Sequence, residues 1–240
     1  MSRLLTSGPL VLPPTSALAA FADDFDYQVL AGSIWRAGSS VAGFEPETFA
    51  SSGKGFTGTG ELDLAPPSGG ADTFAGLDWA GLPCAMAPYQ QPPSAGTYEW
   101  RAQYVYGSGS GPYVMVGLGV FDPSAGLGCF IAFLAQAGGH WQVAVNAAGS
   151  GGIAGATQYS TSIVPDANFH TFTLNTVGGT IRALVDGVDT GVTIANSTLT
   201  WPAGSGMSQP LGPLAYIEKP AGGVTGASLR LDYFKTFRSR

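Results

Sequence analysis

Charged side chains are scarce in this 240-residue chain. They make up 11% of the residues, with 10 Lys and Arg against 16 Asp and Glu, for a formal net charge of −6. A surface that binds nucleic acid needs clustered Lys and Arg to neutralise phosphates, and no such run is present. The composition therefore predicts no nucleic-acid partner.

Long apolar runs and cysteines are also lacking. The 36 Gly and 17 Pro residues interrupt every apolar stretch before it reaches the roughly 20 residues of a membrane-spanning helix. This predicts no membrane span. Cys84 and Cys129 are the two cysteines, which are too few for a disulfide scaffold or a zinc site. One bridge between them and two buried thiols remain as alternatives.

Helical periodicity is absent, and short strands separated by turn residues replace it. Such spacing favours an all-β sandwich or barrel. Residues 97–106 alternate in character, which predicts one buried and one exposed face. The aromatic members of this stripe are Tyr98, Trp100, Tyr104 and Tyr106, and the polar members are Glu99, Arg101 and Gln103.

The rest of the chain contains further strand signals. Residues 113–121 and 128–136 are apolar almost throughout, which predicts central strands covered on both faces. Strands are predicted at 170–177 and 180–185, each followed by a turn dipeptide, Gly-Gly or Asp-Gly. The Gly- and Ser-rich residues 147–169 between these regions are predicted to form a mobile surface loop.

The two ends of the chain suggest a division into an arm and one domain. Residues 1–20 contain several prolines and are predicted to be an extended arm, while residues 21–240 form the domain. A secretory leader cleaved after Ala19 is an alternative, although Gly8 and Pro9 break its apolar segment. In the closing stretch 227–240, alternation places Leu229, Leu231 and Tyr233 on one face, opposite Arg230 and Asp232.

Six segments taken in order carry a resemblance to a known fold. They are "DDFDY", "GTGELDL", "VGLGVFD" with "GCFIAFL", "HTFTLNTVGGTIRALVDGV" and "LRLDYFKTF". Their order resembles the concanavalin A-like jelly roll of laminin-G-type domains, legume-lectin relatives and family-16 glycoside hydrolases. The resemblance implies a two-sheet antiparallel sandwich in which the first and last strands are neighbours and the concave sheet often holds glycans.

A second resemblance rests on the composition and layout of the chain. A Pro-rich arm, low charge and a jelly roll that ends near the terminus are similar to phage virion proteins of the tail or capsid surface. This resemblance implies a structural protein on the extracellular particle, attached to other virion proteins through its arm. It also implies a homo-oligomer that adheres to host glycans by avidity.

Catalytic patterns are incomplete. Family-16 hydrolases use Glu-x-Asp-x-x-Glu or a variant one residue shorter, whereas here Glu61 and Asp63 are followed by Ala65 and Pro66. His140 and His170 have no nucleophile motif near them, and His170 is predicted to be a structural polar residue. We therefore expect no enzyme, with a family-16-like hydrolase or a secreted carbohydrate-binding module as the alternatives.

Candidate ligand-binding residues follow from side-chain chemistry. Sugar rings stack on aromatic faces and bond to nearby amides, although an aromatic stripe is also typical of core packing. The candidates for carbohydrate binding are Trp100, Tyr104, Trp141, Asn146 and Trp201. If the terminal strands pair as the resemblance implies, Asp24 and Asp232 converge. A structural calcium ion and solvated strand ends are then the alternatives, and no other cofactor is expected.

Overall fold

The regular elements in the described part of the chain are β-strands. The computed structural model describes residues 17–23, 35–39, 61–64, 73–79, 96–105, 113–122, 127–136, 139–147, 152–195, 212–219 and 227–239. Within them, no helix has the length and apolar character needed to cross a membrane. The strands are β1 (Ala17–Asp23), β2 (Trp35–Ser39), β3 (Leu62–Leu64), β4 (Thr73–Trp79), β5 (Gly96–Val105), β6 (Tyr113–Asp122), β7 (Leu127–Gln136), β8 (Gln142–Asn146), β9 (Thr157–Ser160), β10 (Phe169–Val177), β11 (Thr180–Val185), β12 (Val188–Ala195), β13 (Gly212–Lys219) and β14 (Ser228–Ser239).

These strands form two antiparallel sheets of seven strands each. Sheet A has the order β1-β14-β5-β10-β11-β12, and β3 also pairs with β14. Sheet B has the order β2-β4-β13-β6-β7-β8-β9. The first and last strands are neighbours, because Ala17 pairs with Ser239 and Asp23 with Phe234. The predicted all-β, two-sheet sandwich of jelly-roll type is confirmed.

The main core lies between the two sheets. Along β5, buried and half-buried residues alternate over the whole strand, so Tyr98, Trp100 and Tyr104 face inward as predicted. Phe172 of sheet A packs against Phe133 and Trp141 of sheet B, at ring-centroid distances of 5.2 and 4.5 Å. Burial of each such side chain contributes about 1.5–3 kcal/mol, which makes this layer the main source of stability.

One hydrogen bond crosses the core from sheet to sheet. The indole Nε1–H of Trp100 donates to the carbonyl oxygen of Gly117 on β6 at 3.0 Å. The Trp100 ring also contacts Phe234 at 4.6 Å. On the other side of Gly117, a Cβ atom would lie 2.3 Å from the carbonyl oxygen of Ile131 and 2.5 Å from Cα of Ala132. Only glycine fits where β6 and β7 approach so closely.

The hairpins of sheet A have the turns that the sequence predicts. Gly178 and Gly179 have φ angles of 58° and 80°, and Asp186 and Gly187 have 51° and 77°. Two consecutive residues with positive φ are typical of type I′ turns, whose twist suits two-residue hairpins. The predicted strands 170–177 and 180–185 are therefore confirmed to within one residue.

Two boundaries differ from the sequence prediction. Strand β1 begins at Ala17, so residues 17–20 belong to sheet A through their pairing with β14, and residues 1–16 lie outside the described part of the chain. The predicted loop 147–169 contains the edge strand β9, which pairs with β8. The part of this segment that follows β9 is also held, because the backbone N–H of Trp141 donates to the Ile163 carbonyl oxygen at 2.8 Å.

The close approach at Gly117 gives a first prediction. We expect Gly117→Ala to lower the free energy of unfolding by about 3 kcal/mol, because the added Cβ meets backbone atoms that cannot move separately. Gly179→Ala is the matched control: nothing lies within 4 Å of its Cβ position, and only the positive φ opposes the change, at about 1 kcal/mol. Urea unfolding of both variants measures the difference, and equal losses would contradict the role of Gly117.

Candidate functional site

The outward side of sheet A carries a cluster of charged and hydrogen-bonding side chains. Alternation produces it, because the neighbouring residues of the same strands, such as Leu62, Trp100 and Leu231, fill the core. We call this surface the polar face. It is formed by Asp63 of β3, Glu99, Arg101 and Gln103 of β5, Phe169 and Thr171 of β10, and Arg230, Asp232, Tyr233 and Lys235 of β14.

A β-bulge in β14 puts Tyr233 on a different face from the one that the sequence predicts. The register of β14 against β5 shifts between Leu231 and Tyr233, so Tyr233 pairs with Arg101. The predicted position of Tyr233 beside Leu229 and Leu231 is wrong, because the extra residue of a bulge breaks the alternation of period two. The Tyr233 hydroxyl instead donates to Glu99 Oε1 at 2.7 Å.

Tyr233 is a firmly held donor. Burial, supported by the bond to Glu99, raises the pKa of Tyr233 to about 12, so its hydroxyl remains protonated at neutral pH. The ammonium of Lys235 lies 3.7 Å from the centre of the Tyr233 ring. A cation over an aromatic face is attracted by the ring quadrupole, which further fixes the ring.

Asp232, a predicted metal ligand, is instead paired with an arginine. The guanidinium of Arg101 donates to Asp232 Oδ2 and also lies 5.1 Å from the centre of the Phe169 ring. The second predicted ligand, Asp24, lies outside the described residues. The described parts of the chain contain no group of three or more His, Cys, Asp or Glu arranged to hold a metal ion, and calcium binding remains a prediction.

Three buried polar atoms of the polar face lack partners. Arg230 lies opposite Asp63 on β3 and opposite Gln103 on β5, so the three side chains form one row across three strands. Asp63 Oδ1, Gln103 Oε1 and Arg230 Nε have no hydrogen-bond partner among the described residues. Arg230 Nε lies 3.9 Å from Asp63 Oδ2, too far for a hydrogen bond. Each buried unsatisfied group costs about 1–3 kcal/mol, so the row is suited to bind something that supplies partners.

A second cluster lies around His170, near the start of β10. Its Nδ1 is 2.6 Å from Asp186 Oδ2 and its Nε2 is 2.8 Å from Asp166 Oδ1. Asp186, in the hairpin turn, also accepts from the backbone N–H of Thr171 at 2.8 Å. Because both ring nitrogens are engaged by carboxylates, His170 ties the loop before β10 to the turn after β11. This arrangement agrees with the predicted structural role.

The pKa values of this cluster are shifted by these contacts. Burial alone lowers the pKa of His170, but its hydrogen bonds and charge interactions with Asp186 and Asp166 outweigh burial, and the net shift is upward. The pKa of Asp166 is lowered, chiefly by the hydrogen bond from the Asn168 backbone N–H and then by the bond to His170. The imidazolium form is therefore favoured in the folded protein.

The predicted carbohydrate-binding residues occupy other places. Trp100, Tyr104 and Trp141 are each about 2% exposed and pack in the core, so their ring faces are covered. Asn146 is 1% exposed, and its amide donates to the Gly152 carbonyl oxygen at 2.8 Å. Trp201 lies outside the described residues. The structure therefore does not bring these residues together on a surface.

The outward side of sheet B differs from the polar face. Its described centre is apolar and buried, with Met115, Phe130, Leu134 and Leu214 at 2% exposure or less. Towards one edge, the Tyr216 hydroxyl donates to Glu218 Oε2 at 3.0 Å. Among the described residues, groups suited to binding a polar ligand are therefore concentrated on sheet A.

Sequence reasoning found part of the polar face. The alternation in β5 identified Glu99, Arg101 and Gln103 as a polar stripe, and Glu61 and Asp63 were tested as a carboxylate pair. Arg230 and Phe169 were missed as neighbours of that stripe. Arg230 belonged to a stretch of predicted alternation and Phe169 to the predicted loop 147–169, but the pairing of β14 and β10 with β5 joins residues over 60 positions apart.

Comparison with known proteins supports the fold. No family model matches the sequence, and neither does any curated protein. Solved structures do match. SCLam, a non-specific endo-β-1,3(4)-glucanase from family GH16, is 18% identical with a TM-score of 0.63, covering 95% of this chain and 93% of the other. A β-1,3-glucanase from Mycobacterium marinum is 14% identical with a TM-score of 0.57, covering 91% and 98%.

A third match is catalytically different by its description. It is an immunostimulatory antigen and pseudo β-1,3-glucanase of Mycobacterium tuberculosis, 13% identical with a TM-score of 0.59, covering 92% of this chain and 99% of the other. At these identities the matches establish a shared fold. They confirm the resemblance to the concanavalin A-like, glucanase-type jelly roll.

These matches correct the expectation that the chain is not an enzyme. That expectation rested on the incomplete Glu-x-Asp motif and on isolated histidines. The matched structures include two glucanases that share the sandwich over nine-tenths or more of each chain. The scaffold is therefore one on which glycoside hydrolysis occurs, and the expectation is overturned.

The His170 cluster gives a prediction about pH. Because the folded-state pKa of His170 is raised, its stabilising contribution is complete below the unfolded value of about 6.5 and is lost as pH rises through the folded value. We expect His170→Gln to reduce the urea midpoint more at pH 5.5 than at pH 8.5. The exposed His140 provides the control His140→Gln, and a loss in His170→Gln that is equal at both pH values would contradict the prediction.

Proposed function

We propose that the chain binds a β-linked polysaccharide on the polar face and hydrolyses it as a glycoside hydrolase, with Glu61 and Asp63 as its candidate carboxylates. The observation that carries the proposal is the gathering of carboxylates on the polar face of a glucanase-type sandwich. Glu61 and Asp63 form the one Glu-x-Asp pair of the sequence; Asp63 is in β3, and Glu61 directly precedes the strand.

Strand pairing supports a third carboxylate near this pair. In the antiparallel pairing of β3 with β14, Leu64 lies opposite Leu229 and Leu62 opposite Leu231. Glu61 precedes Leu62 and Asp232 follows Leu231, so the two carboxylates lie at the same end of this pairing. The motif itself lacks this third group, because Ala65 and Pro66 follow Asp63. A neighbouring strand thus supplies a third carboxylate, which is paired with Arg101, near the two that the local sequence provides.

The chemistry requires two carboxyl groups beside one glycosidic bond. One protonates the leaving oxygen, and the other attacks the sugar or activates a water. Glu61 is half-buried, whereas the Asp63 side chain is 9% exposed. Glu61 is therefore the more accessible of the pair, and its substitution is the direct test of hydrolysis.

The expectations of a virion role, virion partners, a homo-oligomer and a location on the particle surface remain predictions from the style of the sequence. No comparison reported above supports the virion role. The glucanase-type scaffold favours the alternative of a carbohydrate-active protein.

The test is release of reducing ends from β-1,3- and mixed-linkage glucans. We expect turnover by the unmodified chain and a loss of at least about 100-fold in kcat for Glu61→Gln, the usual scale for removing a catalytic acid or base. Glu218→Gln, which changes a carboxylate of sheet B, is the control and should keep full activity. Absence of turnover on all the glucans, or full activity in Glu61→Gln, would overturn the proposal.

A further inference from the structure

We propose that Asp63, Arg230 and Gln103 form a subsite that holds two adjacent hydroxyl groups of one sugar ring. This inference rests on the proposed function, because it takes a polysaccharide as the ligand. It adds where a sugar unit binds and which groups hold it. Arg230 and Gln103 act as positioning residues beside the candidate carboxylates Glu61 and Asp63.

The placement of the row is set by strand register. Arg230 on β14 faces Asp63 of β3 on one side and Gln103 of β5 on the other. Directly opposite residues in antiparallel strands have Cβ atoms about 4.5–5.5 Å apart. Three functional groups are thus presented side by side over a distance that matches one sugar ring and its substituents.

The row combines a buried carboxylate with a guanidinium that borders solvent, because the Arg230 side chain is 39% exposed. The Asp63 side chain is 9% exposed, and its Oδ1 is fully buried without a partner among the described residues. The Gln103 amide nitrogen is held by the Ala167 carbonyl oxygen at 2.5 Å, which orients its unpartnered Oε1. The Nε–H of Arg230 is an unpartnered donor next to these two acceptors.

The chemistry of these atoms selects the class of ligand. Two acceptors and one donor are matched by hydroxyl groups, which donate to Asp63 and Gln103 and accept from Arg230. The Asp63 carboxylate and the Arg230 guanidinium have opposite formal charges, so together they give neither an anion nor a cation a net electrostatic advantage. A neutral compound with neighbouring hydroxyl groups satisfies all three atoms.

An apolar side chain continues the same row. Phe169 on β10 lies opposite Gln103, and its ring is held by the Arg101 guanidinium at 5.1 Å from the ring centre. Sugar rings have apolar C–H surfaces as well as hydroxyl groups, and an aromatic side chain beside polar groups suits both. The row therefore combines the two kinds of contact that carbohydrate sites use.

The test is binding of hydrolysis-resistant, sulfur-linked β-1,3- and β-1,4-glucotetraose to the full chain, measured by calorimetry. We expect Gln103→Ala and Arg230→Ala each to raise Kd by about tenfold or more, which corresponds to about 1.4 kcal/mol. Arg182→Ala is the matched control, because Arg182 is an exposed arginine of β11 on the same side of sheet A. It should leave Kd unchanged.

Two further measurements separate the possible results. In the unmodified chain, the ¹⁵N resonance of Arg230 Nε should shift on addition of the tetrasaccharide. With cleavable glucan, the row variants should raise KM more than they lower kcat, whereas Glu61→Gln lowers kcat. Thermal unfolding of each variant shows whether it is folded.

The outcomes distinguish this inference from the proposed function. If the unmodified chain binds a tetrasaccharide and the folded row variants bind it equally well, the subsite is wrong while carbohydrate binding stands. If the unmodified chain binds neither tetrasaccharide, the subsite and the proposed polysaccharide ligand are both wrong. If it binds but does not cleave glucans, only the hydrolytic part of the proposal fails.

Discussion

The hydrogen bond from Trp100 to Gly117 is the constraint on which the rest of the structure depends. It joins sheet A to sheet B through the core, at a position where β6 and β7 are too close for any side chain on Gly117. A buried indole N–H needs an acceptor, and here the acceptor belongs to the opposite sheet. With Trp100 directed inward, alternation directs its neighbours Glu99 and Arg101 outward, which is the origin of the polar face.

Electrostatics then divides the polar face into satisfied and unsatisfied parts. On this face, Arg101 is paired with Asp232, and Tyr233 is bonded to Glu99. Beside the face, Asp166 and Asp186 both pair with His170. In the row through Arg230, one buried polar atom of each side chain lacks a partner among the described residues. Among the described residues of the polar face, the buried polar atoms without partners lie in this row, which makes it the place suited to a neutral polar ligand.

Local features were predicted well and distant ones poorly. The two hairpin turns were correct because Gly-Gly and Asp-Gly determine positive φ within a few residues. Trp100 and Tyr104 were considered for sugar binding because an aromatic stripe has the same sequence pattern in a core and in a binding surface. The bulge at Tyr233 was missed because nothing in its own residues requires an extra residue opposite Arg101.

The sequence by itself determined the class of fold, the strands and the alternation that separates Trp100 from Arg101, because these depend on neighbours within one strand or turn. Tertiary structure decided which aromatic residues are covered and where β14 shifts its register. It also brought Asp63, Arg230 and Gln103 into one row. The physical reason is that burial and this cross-strand pairing depend on segments distant in the chain, since Arg230 comes more than 100 residues after both Gln103 and Asp63. A single strand carries no record of its partner.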